Sequence, residues 1–303
     1  MKAPINGPRG ITYGWRPLDE LTRGAIPGTV TTLVARPNMG KSHFLIRMAN
    51  SAWRAGHSVL FVSMEMPNLQ NGRRAIGMLA GINPDLIRRG RLSERDQKIF
   101  RETVESVGYG APFHMVSGAF HKSVLDIDLL IGEFQPDVVY VDASYLLWPE
   151  TRNDRRARWE NMAEVGEGIQ KLALNWNRPI IQTVQFNRDA KGKSEGGLDT
   201  IGGTDIIGQV SSVVLGLFPG EGVNETIRRK IKIMKNRDQA LAEFETHYLF
   251  NPPNFDWIPD GGSDAPALEW AVLGARHGRK ASPPRVPARR RRRRSAVPRA
   301  RLG

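Results

Sequence analysis

The sequence predicts an α/β fold with a mostly parallel sheet, and three features of the chain lead to that prediction. Short β-rich runs alternate with amphipathic helical stretches along most of the 303 residues, without a detectable internal repeat. Near-continuous apolar runs such as "DVVYVD" and "RPIIQTV" are typical of parallel strands that are covered by helices on both faces. The segment "FETHYLF" instead alternates polar and apolar residues, which predicts an antiparallel strand in a hairpin added at the C-terminal side.

The strands of this sheet are predicted from β-rich apolar runs bounded by turn residues. The runs are Val30 to Val34, Val59 to Met64, Phe113 to Val116, Val138 to Val141, Ile180 to Val184, Val213 to Leu217, Ile227 to Met234 and Ala242 to Phe250.

Helices are predicted between these strands from apolar periodicity and capping residues. Apolar residues recur at spacings of three and four from Met162 to Trp176, which is the stripe of a helix lying on the sheet, and Asn177 is a plausible stop. Ser93 is the expected N-cap of a second helix that runs through Val107 and ends at Gly108. We interpret these stripes as core.

Composition excludes several classes of site. The chain has no cysteine, so disulfides and thiolate zinc sites are excluded, and its six histidines show no ligand-like spacing with carboxylates. Any metal is therefore expected to arrive with a nucleotide. No apolar stretch approaches the roughly 18 residues of a membrane-spanning helix, and the first ten residues lack an apolar signal region. We expect a cytoplasmic protein without a membrane partner.

The net charge of +13 is concentrated at one end of the chain. Twelve of the 44 basic residues lie between Arg276 and Arg301, which leaves 32 basic against 31 acidic residues in the rest of the sequence. We therefore divide the chain into a globular domain, residues 1–260, and a Pro- and Arg-rich tail, residues 261–303, with too few apolar residues to fold. The run Arg289 to Arg294 either contacts nucleic-acid phosphates without reading sequence or only keeps the protein in solution.

A phosphate-binding loop follows the first predicted strand. The Walker pattern is Gly, four residues of any type and then Gly-Lys-Ser/Thr, and a helical pattern from His43 to Arg54 follows it here. Such a loop presents backbone N–H groups and a lysine to phosphates and a hydroxyl to Mg²⁺. Alanine replaces the first glycine, which is tolerated if that residue keeps a negative φ. The expected ATP-phosphate ligands are Ala35, Arg36, Pro37, Asn38, Met39, Gly40, Lys41 and Ser42.

Three other predicted strand ends carry groups suited to nucleotide hydrolysis. Asp142 ends "VVYVD" and is expected to hold Mg²⁺ together with Ser42, whereas Glu65 follows "VLFVS" and is a candidate base for the attacking water. Gln185 ends "IIQTVQ", where a neutral amide can sense the γ-phosphate. Ligands of parallel α/β sheets bind beyond the carboxyl ends of the strands, so these side chains are expected to converge. Each of them also has a simpler interpretation as an ordinary polar residue at a turn.

Taken together, these motifs resemble the RecA-like motor domain of DnaB-type replicative helicases, particularly the bacteriophage versions that lack the N-terminal domain. The resemblance extends from about Gly10 to Phe250. Its motifs are "GWRPLDELTRGAIPGTVTTLVARPNMGKS", "VLFVSMEM", "VVYVDASYLL", "QFNR", "GTDIIGQVSSVVLGL" and "KIMKNRD". An Ala-Arg-Pro start of the loop is common in that family, so the missing glycine agrees with the resemblance.

The resemblance implies a function and assigns roles to residues. It implies a ring, expected to be a hexamer, that hydrolyses ATP with Mg²⁺, moves along single-stranded DNA and separates strands at replication forks, with a primase or loader as a possible partner. It implies that Glu65 is the catalytic base and that Lys235 and Arg237 reach the γ-phosphate of a neighbouring subunit. The segment "MKNRDQA" lies between two β-runs, so these two residues are expected at a hairpin tip that projects from the subunit.

A long Gly- and Lys-containing segment follows Gln185, between two predicted strands. Long loops in compact domains are usually functional or disordered, and in the resembled family this region lines the DNA channel. We expect sequence-independent contacts to the DNA backbone and no base stacking, because the segment lacks aromatic residues. The candidate DNA-binding residues are Arg188, Lys191, Lys193, Gly202, Gly203 and Thr204.

Some features depart from the family pattern and leave alternatives open. Only about ten residues precede the motor pattern, "GQVSS" stands where the family is usually acidic, and "DASYLL" replaces the more usual Asp-Tyr-Leu-Gln. One alternative is a RadA-like, DNA-stimulated ATPase that acts in recombination or repair without unwinding. Another is a non-enzymatic DNA-binding ring scaffold that has kept a nucleotide fold.

Overall fold

The computed structural model describes residues 10–118, 122–149, 158–186, 205–220, 226–237 and 240–259. Within these ranges, nine strands form one mixed sheet in the order β11-β8-β7-β6-β1-β5-β4-β2-β3, and β9 pairs with β10 separately. The strands are β1 (Val30–Ala35), β2 (Val59–Ser63), β3 (Phe113–Ser117), β4 (Val138–Asp142), β5 (Ile180–Gln185), β6 (Val213–Pro219), β7 (Arg228–Asn236), β8 (Glu243–His247), β9 (Leu249–Phe250), β10 (Pro253–Asn254) and β11 (Trp257–Ile258).

The pairing directions confirm the predicted sheet. The six strands from β6 to β3 in this order are parallel, whereas β7, β8 and β11 are added antiparallel beyond β6. The parallel strands are almost fully buried except at the β3 edge, as expected for near-continuous apolar runs.

Helices cover both faces of the sheet. On one face α2 and α3 pack with the N-terminal segment against the odd-numbered side chains of β1, and on the other face α6, α7 and α8 pack against its even-numbered ones. No helix among the described residues combines the length and apolar character needed to cross a bilayer. The helices are α1 (Arg16–Thr22), α2 (Lys41–Arg54), α3 (Asn68–Ala80), α4 (Pro84–Arg89), α5 (Glu94–Tyr109), α6 (Val124–Phe134), α7 (Arg158–Trp176) and α8 (Asp205–Val210).

The capping predictions are confirmed in part. Asn177 stops α7 with a left-handed backbone, φ +48°, and Ser93 caps α5 by accepting a hydrogen bond from the Asp96 N–H. The predicted end of α5 at Gly108 is wrong, because the helix continues to Tyr109 and is capped by Gly110. Gly110 packs so closely on the Trp53 indole that a Cβ there would lie 2.7 Å from the ring.

The last predicted strand is also shorter than expected. The run Ala242 to Phe250 is broken at Tyr248, which separates β8 from β9. The Tyr248 N–H donates to the Ile227 carbonyl and its ring packs against Gly40 at the start of α2. A tertiary contact with the phosphate-binding loop therefore overrides the alternating pattern at this point.

Two sets of hydrogen bonds fix the centre of the sheet and the chain segments around it. Gln182 of β5 donates to the Thr32 hydroxyl of β1 at 3.0 Å, and that hydroxyl shares a 2.7 Å hydrogen bond with Ser211 beyond α8. On the face of the sheet that α2 covers, the indole N–H of Trp15 donates to the Phe255 carbonyl at 2.8 Å. Trp15 is buried, so this bond ties the beginning of the described chain to its end inside the core.

Candidate nucleotide-binding site

The phosphate-binding loop runs from the end of β1 into the first turn of α2. Ala35 is the last residue of β1 and lies in register with Gln185 on one side and Leu217 on the other. The helix begins at Lys41, two residues earlier than predicted, so Lys41 and Ser42 form its first turn. The N–H groups of a first turn have no acceptor within the helix and point outward, where they can bind an anion.

The backbone of the loop explains why alanine replaces its first glycine. Ala35 has an ordinary strand conformation, whereas the left-handed residues of the loop are Asn38, with φ +63°, and Gly40, with φ +96°. A Cβ on Gly40 would lie 2.5 Å from the Tyr248 ring, so both conformation and space require glycine at that position. The glycine requirement therefore falls on Gly40 and not on residue 35.

Lys41 and Asp142 are both buried next to the phosphate-binding loop. Only 8% of Lys41 is exposed, and burial lowers the pKa of its ammonium group, while the nearby carboxylates of Glu65 and Asp142 oppose that shift. Asp142 is fully buried at the end of β4, where one carboxylate oxygen accepts a 2.8 Å hydrogen bond from the Thr183 hydroxyl. Its other oxygen, Oδ2, is buried and has no hydrogen-bond partner within the described part of the chain.

The unpartnered Oδ2 atom fits a cation. An ionised carboxylate oxygen without a partner is costly to bury, and Mg²⁺ prefers carboxylate, hydroxyl, water and phosphate oxygens. The Ser42 hydroxyl in the first turn of α2 is the second expected ligand. Among the described residues, the oxygen atoms of Asp142 and Ser42 therefore suit a magnesium ion that is also bound by nucleotide phosphates.

Glu65 and Gln185 complete the cleft edge. Glu65 is exposed in the turn after β2, and the Met64 N–H before it donates to the Asp142 carbonyl at 2.5 Å, which ties this turn to β4. Gln185 ends β5 beside Ala35 and shares a strand face with Thr183, the partner of Asp142. The structure thus brings the ends of β1, β2, β4 and β5 to one edge of the sheet.

Lys235 and Arg237 lie at the opposite edge. Asn236 pairs with Val213 at the start of β6, so this end of β7 lies at the amino ends of the parallel strands, away from the phosphate-binding loop. The Lys235 ammonium donates to the Gly208 carbonyl at 2.6 Å, and the Arg237 guanidinium donates to the Gln209 carbonyl at 2.8 Å. Both side chains thus contact the last turn of α8, although Arg237 is exposed, and their expected role at a neighbouring subunit stays a prediction.

Sequence reasoning missed two residues that hold the loop in place. The Arg229 Nε donates to the Met39 carbonyl at 3.2 Å, and its guanidinium carbon lies 3.8 Å from the centre of the Tyr248 ring. Tyr248 in turn packs on Gly40. These residues come from β7 and from the break after β8, so no local motif indicated them.

The candidate DNA contacts lie outside the described residues. This holds for Arg188, Lys191, Lys193, Gly202, Gly203 and Thr204 and for the basic run of residues 289–294. Their assignment stays a prediction.

The sheet is parallel at its centre and has an antiparallel extension. A phosphate-binding loop follows its central strand, and acidic groups lie at neighbouring strand ends. These features together define a RecA-like P-loop NTPase core. Residues 10–256 match the family model of the DnaB-like helicase C terminal domain. The chain belongs to that family.

Individual relatives agree with this assignment. The replicative DNA helicase DnaB of Treponema pallidum (strain Nichols) is 29% identical over 246 residues, which cover 79% of this chain and 54% of that protein. A probable plasmid replicative DNA helicase of Chlamydia trachomatis is 28% identical over 60% of this chain and 40% of its own length. The chain therefore spans about half the length of the curated relatives it matches.

Solved structures share the fold. The ATPase domain of G40P superposes with a TM-score of 0.76 over 83% of this chain and 93% of its own, at 19% sequence identity. A DnaB-like replicative helicase, described with its interactions with primase, gives a TM-score of 0.75 over 83% of this chain and 63% of its own, also at 19% identity.

Replacing Thr183 by valine tests how much Asp142 depends on the hydrogen bond that it accepts from the Thr183 hydroxyl. The buried carboxylate would lose its partner at nearly constant volume, so we expect the free energy of unfolding to fall by about 1–3 kcal/mol. We also expect Mg²⁺-dependent nucleotide binding to weaken. Urea denaturation and Mg²⁺ titrations measure the two effects. Thr246→Val, which removes a buried hydroxyl from β8, is the control and should leave the Mg²⁺ dependence unchanged.

Substitutions at Gly40 and at Ala35 should differ in their effect on nucleotide affinity. Gly40→Ala forces a side chain into a left-handed position against Tyr248, so we expect nucleotide affinity to fall about tenfold or more, given a strain of roughly 1–3 kcal/mol. Ala35→Gly should change that affinity little, because the residue already has strand geometry. Calorimetric titration with ADP and a non-hydrolysable triphosphate compares the two. Equal losses would contradict our account of the missing glycine.

Proposed function

We propose that this chain is the motor domain of an ATP-dependent DNA helicase that moves along single-stranded DNA and unwinds duplex at replication forks. The observation that carries the proposal is the convergence of Lys41 and Glu65 with the buried carboxylate of Asp142, whose Oδ2 atom has no hydrogen-bond partner in the described chain. A scaffold that had only kept the fold would gain nothing from burying such a carboxylate. Membership of the DnaB-like family supports the choice of helicase among the ATPases with this fold.

Each residue of the cleft has a distinct task in the proposed hydrolysis. The first-turn N–H groups of α2 and the Lys41 ammonium bind the β- and γ-phosphates. Glu65 orients the attacking water and accepts its proton, and Gln185 hydrogen-bonds the γ-phosphate or that water. Asp142 and Ser42 would hold Mg²⁺, which when bound neutralises phosphate charge and orients the phosphate oxygens.

The positions of Lys235 and Arg237 support a ring. They lie at the amino ends of the parallel strands, whereas the phosphate-binding loop lies at the carboxyl ends, so these side chains can serve only a loop of another copy. A head-to-tail contact of this kind is heterologous and closes into a ring when its rotation permits. We propose a hexamer with ATP sites between subunits, in which Lys235 and Arg237 leave the carbonyls of α8 and approach the neighbouring γ-phosphate.

We propose that the protein acts in the cytoplasm. If the chain is encoded by a phage, this is the cytoplasm of the bacterial host. The DnaB-like helicase described with its interactions with primase makes a primase the first partner to test, with a loader as another. The residues expected to follow the DNA backbone are those of the segment after β5, from Arg188 to Thr204.

Unwinding of a forked duplex tests the function directly. We expect ATP-dependent unwinding by the wild type and none by Lys41→Ala, because the loop loses its phosphate-binding cation. A truncation after Gly274 tests the basic tail, and unchanged DNA affinity at low salt would show that Arg289 to Arg294 only keep the protein in solution. DNA-stimulated ATPase activity without unwinding would favour the RadA-like alternative. Wild type without ATPase activity would leave only the scaffold alternative.

Mixed rings test catalysis across the interface. When wild-type subunits are mixed with Arg237→Ala subunits, we expect ATPase activity to fall more steeply than the wild-type fraction, because a variant subunit disables its neighbour's site and the sites of a ring that hydrolyses ATP in sequence depend on one another. An arginine supplied in trans is worth roughly 10³- to 10⁵-fold in GTPase systems. Steady-state rates measured across mixing ratios give the result. Mixing Lys41→Ala with Arg237→Ala subunits should restore part of the activity, because one of their interfaces pairs an intact lysine with an intact arginine, and no restoration would contradict the trans role.

A further inference from the structure

The carbonyl group of Met39, in the phosphate-binding loop, is bound by an arginine from a distant strand. Arg229 lies on β7, 190 residues further along the chain, and its Nε donates to that carbonyl at 3.2 Å. Only 7% of Arg229 is exposed, so its N–H groups are largely withdrawn from water. A cationic donor makes a stronger hydrogen bond than a neutral one, so this contact fixes the direction of the Met39 carbonyl.

The Arg229 guanidinium is itself held in place by other contacts. Its Nη1 donates to the Arg228 carbonyl at 2.6 Å, and its central carbon lies 3.8 Å from the centre of the Tyr248 ring. The Tyr248 N–H donates to the Ile227 carbonyl at 2.6 Å, which anchors the ring next to the same strand. The guanidinium therefore has one orientation, and in that orientation its Nε points at the loop.

The direction of the Gly40 N–H follows from that of the Met39 carbonyl. The peptide bond between these residues is trans and planar, so its C=O and N–H groups point in opposite directions. Arg229 therefore turns the Gly40 N–H toward the side of the loop that faces away from Arg229. In the described part of the chain this N–H has no hydrogen-bond acceptor. An unpartnered backbone N–H at the start of a helix is suited to bind an anion.

We propose that Arg229 is a positioning residue of the nucleotide site, which aims the Gly40 N–H at a phosphate through the Met39–Gly40 peptide group. The inference rests on the proposed nucleotide-binding function and adds a residue that does not itself contact the nucleotide. The backbone of such a loop cradles the phosphates that ADP and ATP share, so Arg229 acts on both nucleotides alike. The cation on the carbonyl also polarises the peptide group, which strengthens the N–H as a donor.

Gly40 makes this control from outside the loop necessary. A glycine adopts positive and negative φ about equally well, so residue 40 does not by itself determine which way the preceding peptide group points. Without Arg229 the peptide group can rotate, and binding must then supply the free energy that orders it. The phosphate contact is the same in the ground state and in the transition state, so its loss weakens binding and raises KM without lowering kcat.

Two other roles of Arg229 make different predictions. If it only packs against Tyr248, a side chain of similar length without N–H groups keeps that packing and leaves nucleotide affinity unchanged. If it contacts the base or the ribose directly, a ligand that has phosphates but no nucleoside does not depend on it. Pyrophosphate is such a ligand, so its binding separates positioning of the loop from contact with the nucleoside.

The first experiment measures the affinity of the full chain for ADP, a non-hydrolysable ATP analogue and pyrophosphate, each with Mg²⁺. Arg229→Met is the test variant. Arg228→Met is the matched control, because it removes the same charge from the opposite face of β7, where Arg228 pairs with Glu245 at 2.8 Å. We expect Arg229→Met to lose about threefold to tenfold in affinity for all three ligands, the range of one hydrogen bond. Its kcat at saturating ATP should stay within about twofold of wild type.

The second experiment observes the peptide group itself. Met39-Gly40 is the one Met-Gly pair in the sequence, so labelling with carbonyl-¹³C methionine and ¹⁵N glycine gives a single cross-peak that reports on this peptide group. In deuterated protein without nucleotide, we expect Arg229→Met to shift the Gly40 amide resonance, because the carbonyl loses its donor. Arg228→Met should leave the resonance in place.

The possible results separate the positioning role from the site itself. Unchanged affinities or an unmoved Gly40 resonance in Arg229→Met would overturn the role of Arg229 and leave the proposed nucleotide site intact. A loss for both nucleotides with normal pyrophosphate binding would overturn it in favour of direct contact with the nucleoside. Failure of the wild type to bind any of the three ligands would overturn both proposals. If Arg229→Met unfolds, as judged by its melting temperature, Arg229→Lys carries the same comparison with a smaller expected loss, because it keeps the charge.

Discussion

The position of β1 between β5 and β6 is the constraint on which the rest of the site depends. Because both pairings are parallel and in register at Ala35, β1 and β5 end together where the chain turns into the phosphate-binding loop, and β6 continues for two more residues. The neighbouring strand β4 ends with Asp142, and β2, in register with β4, leads into the Glu65 turn. Buried hydrogen bonds from Gln182 through Thr32 to Ser211 fix this arrangement, and a one-residue slip would turn every side chain to the opposite face.

The sequence predicted what local patterns determine. Apolar runs located every strand of the parallel sheet, since a strand buried on both faces must be apolar throughout. The loop motif located the turn from β1 into α2 at Gly40, Lys41 and Ser42, because such a loop has a fixed spacing along the chain. Polar residues at strand ends identified Asp142 and Gln185, because parallel strands place their carboxyl ends at one edge.

Contacts between distant segments could not be predicted in this way. Tyr248 breaks an alternating run because its ring packs on the phosphate-binding loop, and Arg229 holds that loop from β7. Arg237 follows β7 as predicted, whereas Lys235 lies within that strand, and the hydrogen bonds of both to α8 depend on where another helix ends.

The bond between Trp15 and the Phe255 carbonyl has a consequence for the synthesis of the protein. Its partners are 240 residues apart, so the indole cannot reach its final environment until nearly the whole motor region has left the ribosome. Until then, a large apolar side chain near the start of the chain stays open to solvent and to chaperones. A chain that terminates before Phe255 therefore lacks the acceptor of the Trp15 indole hydrogen bond.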